Sequence, residues 1–231
     1  MKIFVITVCR NAEAELAATV KSVNAFRYDD IYYLVVDGSS NDGTKEILIG
    51  AGRLIDQWVS EPDQGIYDAM NKAVSLLPPG DGHVLFLGAG DRLLQLPAQE
   101  QREPGAVLFG NVQIGDTVFF SSIGWKLKAG NTLHHQGLFI PRQVLANSLF
   151  DTRYKIYADF DLNQRLLRAK IPFRALDKII AFAEPGGVSW RAQTSEMVDI
   201  ARKNFGLFWG GVARIWAKYR ALRMRLLGTS W

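Results

Sequence analysis

Two apolar runs in this 231-residue chain each end in an acid. Tyr33-Leu34-Val35-Val36 stops at Asp37, followed by Gly38-Ser39-Ser40-Asn41-Asp42-Gly43-Thr44, and Val84-Leu85-Phe86-Leu87 stops at Gly88-Ala89-Gly90-Asp91. In an open α/β sheet, ligands bind in the crevice beyond the carboxyl ends of the strands, so both acids fall where ligand chemistry is expected. Two carboxylates brought to one crevice suit a nucleotide and a divalent cation, because hard cations such as Mg²⁺ and Mn²⁺ take oxygen ligands and often need only one or two from the protein. A second acidic pair, Asp159 and Asp161, lies in Tyr157-Ala158-Asp159-Phe160-Asp161-Leu162 and opens a helical pattern that continues through Leu166-Leu167. Acids in a first helical turn are favoured by the helix dipole even without chemistry. His134-His135-Gln136-Gly137 holds two of the three histidines. Adjacent histidines do not share a helix face, and no nearby Cys or Glu gives zinc spacing, which argues against a zinc site.

The elements that must position these groups follow from hydrophobic periodicity. Ile3 to Val8 reads as a first strand and Ala12 to Asn24 as a helix with Leu16, Val20 and Val23 at helical spacing. Leu34 to Val36 forms a second strand, after which Thr44 caps a helix running into Ile49. A short strand at Trp58-Val59, a helix from Ile66 to Leu77 stopped by Pro78-Pro79, and a strand from Val84 to Leu87 come next. Strand–helix alternation specifies a parallel sheet with right-handed crossovers. From Val107 to Ile123 the pattern changes to a smaller β-ribbon or meander punctuated by glycines.

Composition sets the outer limits. With 48% apolar and 22% charged residues the chain is long enough to bury a substantial core. The single Cys9 forms no internal disulfide and is read as a small buried hydrophobe. No stretch is long and apolar enough to span a bilayer, and no leader is evident, so a reducing, cytoplasmic setting is expected. The net charge of +4 is unevenly spread, with the acids concentrated before residue 116 and the bases after it. From Arg202 onward there are seven Lys/Arg and no acids, and Phe208, Val212, Ile215, Trp216, Tyr219, Leu222 and Leu226 recur at helical steps. Such a basic, aromatic amphipathic helix reads as interfacial, lying on a membrane, with docking on the domain or on a second subunit as the alternative. No nucleic-acid recognition motif accompanies the charge.

Five motifs in order carry a resemblance: Thr7-Val8-Cys9-Arg10-Asn11; the Asp37 loop through Thr44; Ser60-Glu61-Pro62-Asp63-Gln64-Gly65-Ile66-Tyr67-Asp68-Ala69-Met70-Asn71-Lys72-Ala73; Phe86 to Asp91; and Tyr157 to Leu162. Over about residues 1–190 the chain resembles the family 2 glycosyltransferases, inverting enzymes of the A-type fold that use nucleotide-sugar donors, and among them the small bacterial exopolysaccharide or colanic-acid-type enzymes. The resemblance implies an α/β fold with a mainly parallel Rossmann-like sheet flanked by helices, a smaller β-ribbon and a C-terminal amphipathic helix. It implies a glycosyltransferase domain over 1–200, donor-binding in 1–95 and acceptor-binding or catalytic in 96–200, with a basic tail over 201–231.

The same resemblance assigns roles. Asp159 is the general base; Thr7, Asp37, Ser39 and Gln64 bind the donor; Asp91 and His135 hold Mn²⁺ or Mg²⁺; Gln136 and Asp161 belong to the acceptor or leaving-group region. The donor would be a UDP- or GDP-sugar, the acceptor a glycan or polyprenyl-linked saccharide, and the location the inner face of the cell membrane, with oligomerisation open. The chain departs from the family's Asp-x-Asp element, since Gly88-Ala89-Gly90 offers no acid before Asp91. On the residues alone, Asp37 could equally cap a turn, Asp161 could pair with Arg165, His135 could be a core histidine, and Asp68 and Asn71 read as structural. A non-catalytic sugar-nucleotide-binding protein and a nucleotidyltransferase remain the competing functions.

Overall fold

The computed structural model describes residues 1–28, 30–186 and 194–227. Four parallel strands form one half of a continuous sheet: β1 (Lys2–Cys9), β2 (Ile31–Asp37), β3 (Gln57–Ser60) and β4 (Gly82–Gly88), in the order β3-β2-β1-β4. Helices cover both faces, which is why β1, β2 and β4 are largely apolar on both. Alternate side chains of β1 divide between two cores. Phe4, Ile6 and Val8 pack with Tyr67, Met70 and Phe160, while Ile3 and Val5 pack with Leu16, Val20 and Leu48. The register sets Cys9 opposite Asp37, Val8 opposite Gly88, and Asp37 opposite Ser60. The strand ends are therefore level, and their loops open on one edge.

Three helices match the sequence periodicity: α1 (Leu16–Asn24), α2 (Thr44–Ala51) and α3 (Ile66–Leu76). Two boundaries differ from expectation. The helix expected from Ala12 begins at Leu16, because the Ala12 N–H is drawn out to the Thr44 hydroxyl at 2.8 Å. With its hydroxyl so engaged, Thr44 is the first helical residue rather than the cap, and Asp42 Oδ1 accepts its N–H at 3.0 Å.

The second half extends the same sheet. β4 pairs antiparallel with β8 (Leu138–Pro141), β8 antiparallel with β6 (Val107–Ile114), β6 parallel with β9 (Phe173–Ala183), and β9 antiparallel with the two-residue β5 (Arg92–Leu93). The β-ribbon expected over 107–123 shrinks to β6 with β7 (Thr117–Phe119), since β6 itself lies inside the sheet. Between β8 and the end of the chain come α4 (Arg142–Ala146), α5 (Ala158–Arg168), α6 (Thr194–Phe205) and α7 (Leu207–Leu227).

The α6–α7 break falls at Gly206, whose φ of +90° favours glycine. α7 docks through small residues, with Ala213 and Ala217 buried and Ala213 packed with Ala129 and Ala201. Of the apolar stripe read from the sequence, Phe208, Ile215 and Tyr219 point outward, at 73%, 71% and 58% exposed, while the side chains of Leu222 and Leu226 lie outside the described residues. Among the described residues no helix is long and apolar enough to cross a membrane.

Candidate active site

Asp37 ends β2 with no exposed surface. Its carboxylate accepts the Ser60 hydroxyl at 2.6 Å, the Ser40 N–H at 3.1 Å and the Ser40 hydroxyl. Ser40 Oγ in turn accepts the Asn11 N–H at 2.7 Å, so this one buried acid ties together the ends of β1, β2 and β3. Both oxygens of Asp37, expected to accept hydrogen bonds from a base or ribose, are taken up by serine donors and covered in this arrangement. Thr7 is likewise fully buried, with Oγ1 3.0 Å from the Tyr33 hydroxyl, beneath the crevice rather than lining it. The accessible rim is formed by Ser39, at a left-handed φ of +56°, and by exposed Gln64, whose N–H donates to Asp68 Oδ2 at 3.0 Å. A Cβ on Gly38 would meet the Asp63 carboxylate, which packs directly over that loop.

Asp91 follows β4 across a tight turn in which Gly90 has φ +95°. The carboxylate is 5% exposed; Oδ2 accepts the Gly88 N–H at 2.7 Å and Gln136 Nε2 at 2.9 Å, and Oδ1 accepts the Glu184 N–H at 3.0 Å. Burial raises its pKa above the ordinary carboxylate value, and these donors only partly offset that.

Asp159 is the second residue of α5, where the positive end of the helix dipole favours an acid. Four neighbours surround it. Its Oδ2 accepts Asn131 Nδ2 at 2.9 Å and lies 3.8 Å from His135 Nδ1, while Oδ1 accepts the Phe160 N–H at 2.8 Å and lies 3.3 Å from the Tyr67 hydroxyl. The Tyr67 hydroxyl sits closer to the Ile156 carbonyl, at 2.7 Å, and burial followed by the charge of Asp159 drives its pKa well up, so it keeps its proton. Glu196 of α6 accepts the N–H groups of Lys155, Ile156 and Tyr157 at 2.9 to 3.1 Å, fixing the approach to α5.

A single turn spans both acids. In the one-turn 3₁₀ segment His135–Gly137, His135 faces Asp159 and its neighbour Gln136 holds Asp91. His134 stacks on His135 with ring centres 5.4 Å apart and meets the edge of Phe119; burial pushes it down to about 4, so it is neutral at pH 7.

Asp161, expected near the acceptor, is instead a structural anchor. It is fully buried and turned toward α6, with Arg165 Nε at 2.8 Å and Lys203 Nζ and Asn204 Nδ2 each at 3.0 Å. Two residues along a helix swing a side chain about 200°, which separates Asp159 from Asp161. Asp161→Ala should cost about 3 kcal/mol, the lower end for breaking a buried ion pair, since Arg165 and Lys203 retain some exposure. A drop in the urea midpoint with unchanged nucleotide affinity in the folded protein checks this. Asn71 is also structural, exchanging two hydrogen bonds with the Phe150 backbone. The Cys9 thiol is buried and pushed up to about 12, first by burial and then by Asp37, which removes it as a nucleophile.

Among the described residues no three His, Cys, Asp or Glu side chains form a metal cage. The donor set fits a cation completed by substrate oxygens: Asp91 Oδ1 accepts one hydrogen bond only, and buried Gln136 Oε1 has no partner. A cavity of about 340 Å³ lined by Arg153, Tyr154, Ser195, Glu196 and Asp199 contains none of the residues expected in the site.

The fold is that of the A-type glycosyltransferases. The chain covers 73% of a Staphylococcus aureus TarS fragment solved with UDP, with TM-score 0.65 and 14% identity, and 44% of a longer TarS chain. It covers 76% of a mannosyltransferase from Pyrobaculum calidifontis solved with GDP-Man and Mn²⁺, again with TM-score 0.65 and 14% identity. Residues 4–77 match the family model described as glycosyl transferase family 2. A PGL/p-HBAD biosynthesis glycosyltransferase of Mycobacterium tuberculosis is 29% identical over 195 residues, 78% of this chain and 75% of its own. Another M. tuberculosis protein, named an uncharacterized glycosyltransferase, is 42% identical over 90 residues, 38% of this chain and 33% of its own.

Proposed function

We propose that this chain transfers a sugar, with inversion, from a nucleoside-diphosphate sugar to a glycan or polyprenyl-linked acceptor, with Asp159 as the general base. The observation that carries the reading is the turn in which His135 reaches Asp159 while Gln136 reaches Asp91, joining one acid fit for proton abstraction to one fit for a cation. In a single displacement the base takes the acceptor hydroxyl's proton as the diphosphate leaves from the opposite face of the anomeric carbon. Asp159 suits this role because its carboxylate is aimed by Asn131 and the Phe160 N–H yet remains 8% exposed. Asp91, with His135 and the Gln136 carbonyl oxygen nearby, would hold Mn²⁺ or Mg²⁺, whose chemistry there is to neutralise charge on the departing diphosphate. Support for a nucleotide-sugar donor comes from the UDP and GDP-Man complexes of the fold's neighbours. Ser39 and Gln64 are the rim residues proposed to meet it, with Asp37 and Thr7 holding the floor. The basic, outward-facing α7 suits a peripheral position on the inner face of the membrane, where a lipid-linked acceptor is found.

A panel of UDP- and GDP-sugars incubated with the protein and Mn²⁺ should yield slow release of nucleoside diphosphate that chelation abolishes. Binding with no release on any donor favours a sugar-nucleotide-binding protein. Consumption of a nucleoside triphosphate with release of pyrophosphate favours a nucleotidyltransferase.

A further inference from the structure

We propose that the loop between β7 and Leu127 is a second membrane-seating element which, together with α7, rests on an anionic lipid surface beside Asp159. The proposal builds on the reading of α7 as interfacial. Phe120, Ile123 and Trp125 are 74%, 36% and 58% exposed on this loop, although its backbone is pinned. The Ser122 N–H donates to the Thr132 carbonyl at 2.9 Å, the Thr132 hydroxyl returns to the Ser122 carbonyl at 2.6 Å, and the Ser121 N–H donates to Asn111 Oδ1 at 3.1 Å. Large apolar side chains are thus held out on a fixed scaffold.

The return limb of the loop is the surface on which α7 docks. Lys128 Nζ lies over the Phe205 and Trp209 rings at 5.3 and 5.1 Å, and a Cβ on Gly130 would come within 2.8 Å of Trp216 Nε1. One residue further, Asn131 donates to Asp159. The same fifteen or so residues therefore connect exposed aromatics, the interfacial helix and the proposed base.

Charge selects the partner. Residues 117–150 contain no Asp or Glu but include Lys126, Lys128 and Arg142, and no acid follows Arg202 among seven Lys/Arg. A second copy offering the same face would set cation against cation, whereas anionic headgroups complement it, with the aromatics entering the acyl boundary. Such seating brings a lipid-anchored acceptor to the side of the molecule where Asn131 and Asp159 meet.

The test uses the full chain, since removing residues from Arg202 onward would also delete Lys203 and Asn204, which hold Asp161. Wild type, F120S/W125S and K126E are sedimented with vesicles of phosphatidylglycerol and phosphatidylcholine, or of phosphatidylcholine alone, at low and high salt. Wild type should bind only the anionic vesicles and be released by salt; F120S/W125S should bind them about tenfold more weakly, and K126E should also lose affinity. Binding of F120S/W125S equal to wild type, or no wild-type binding at low salt, overturns the proposal. So does a concentration-dependent dimer that the same variants abolish, which would make the face a contact between copies. Release of nucleoside diphosphate from UDP-sugars, measured on the same preparations, reports separately on the transferase reading and should be unchanged in both variants.

Discussion

Asp159→Asn should bind sugar nucleotide as tightly as wild type while kcat for transfer falls by about 10²–10⁴-fold, the usual contribution of a positioned general base. The asparagine is isosteric, and its one carbonyl oxygen can keep the Phe160 N–H while its amide nitrogen can no longer accept from Asn131, so the side chain stays in place and the ability to take a proton is lost. Because the base acts on the acceptor, the loss belongs in kcat rather than in donor affinity. Asn131→Ala should reproduce part of the defect by releasing Oδ2, whereas Asp161→Asn should act on stability. Full transfer by Asp159→Asn, with donor binding intact, would remove Asp159 from the chemistry.

Asp91→Asn should lower donor turnover by about 10²–10³-fold, the rate equivalent of the several kcal/mol that a cation on a leaving diphosphate supplies. Donor affinity should fall along with the response to Mn²⁺. The pH behaviour follows from burial, which raises the Asp91 pKa. Folding therefore favours the protonated form: the stability associated with this group is present below the unfolded carboxylate pKa and lost as pH rises through the folded value. Function has the opposite sign, since the carboxylate must be ionised to meet a cation. Affinity for Mn²⁺ should therefore weaken on the acid side at a pH above the ordinary carboxylate range. At neutral pH Asp91→Asn should unfold within a few degrees of wild type, so a large activity loss with a preserved melting temperature separates a ligand-directed acid from a structural one. A variant that keeps full Mn²⁺-stimulated turnover contradicts the assignment.

The parallel half of the fold was legible because β1, β2 and β4 are buried, largely apolar runs closed by polar or glycine residues, and the crossover helices have a 3.6-residue period. β8 and β9 were not. Leu138–Pro141 is too short to show a period, and Phe173–Ala183 alternates irregularly because it slips register against β6 around Gly110, where a Cβ would meet Ile180 Cγ1 at 2.5 Å. Within the site, sequence order identified the acids but not their surroundings. Nothing in Gly130-Asn131-Thr132 marks Asn131 as a partner of an acid 28 positions away, and Tyr67, although inside the longest motif, carries no sign that its hydroxyl reaches Asp159 on α5. Asp37 and Asp161 were harder still. An acid after a strand or in a first helical turn looks the same in sequence whether it faces a ligand or a buried serine, lysine or asparagine.

The central claim is a single displacement at an anomeric carbon, and the configuration of the released sugar reports on it without an identified acceptor. The protein is mixed with an α-linked nucleoside-diphosphate sugar and Mn²⁺, and the anomeric proton of the free sugar is followed by NMR before mutarotation. Water entering opposite the leaving diphosphate should give the β-anomer first, and Asp159→Asn should release it far more slowly. First appearance of the α-anomer would mean a double displacement and contradict the account.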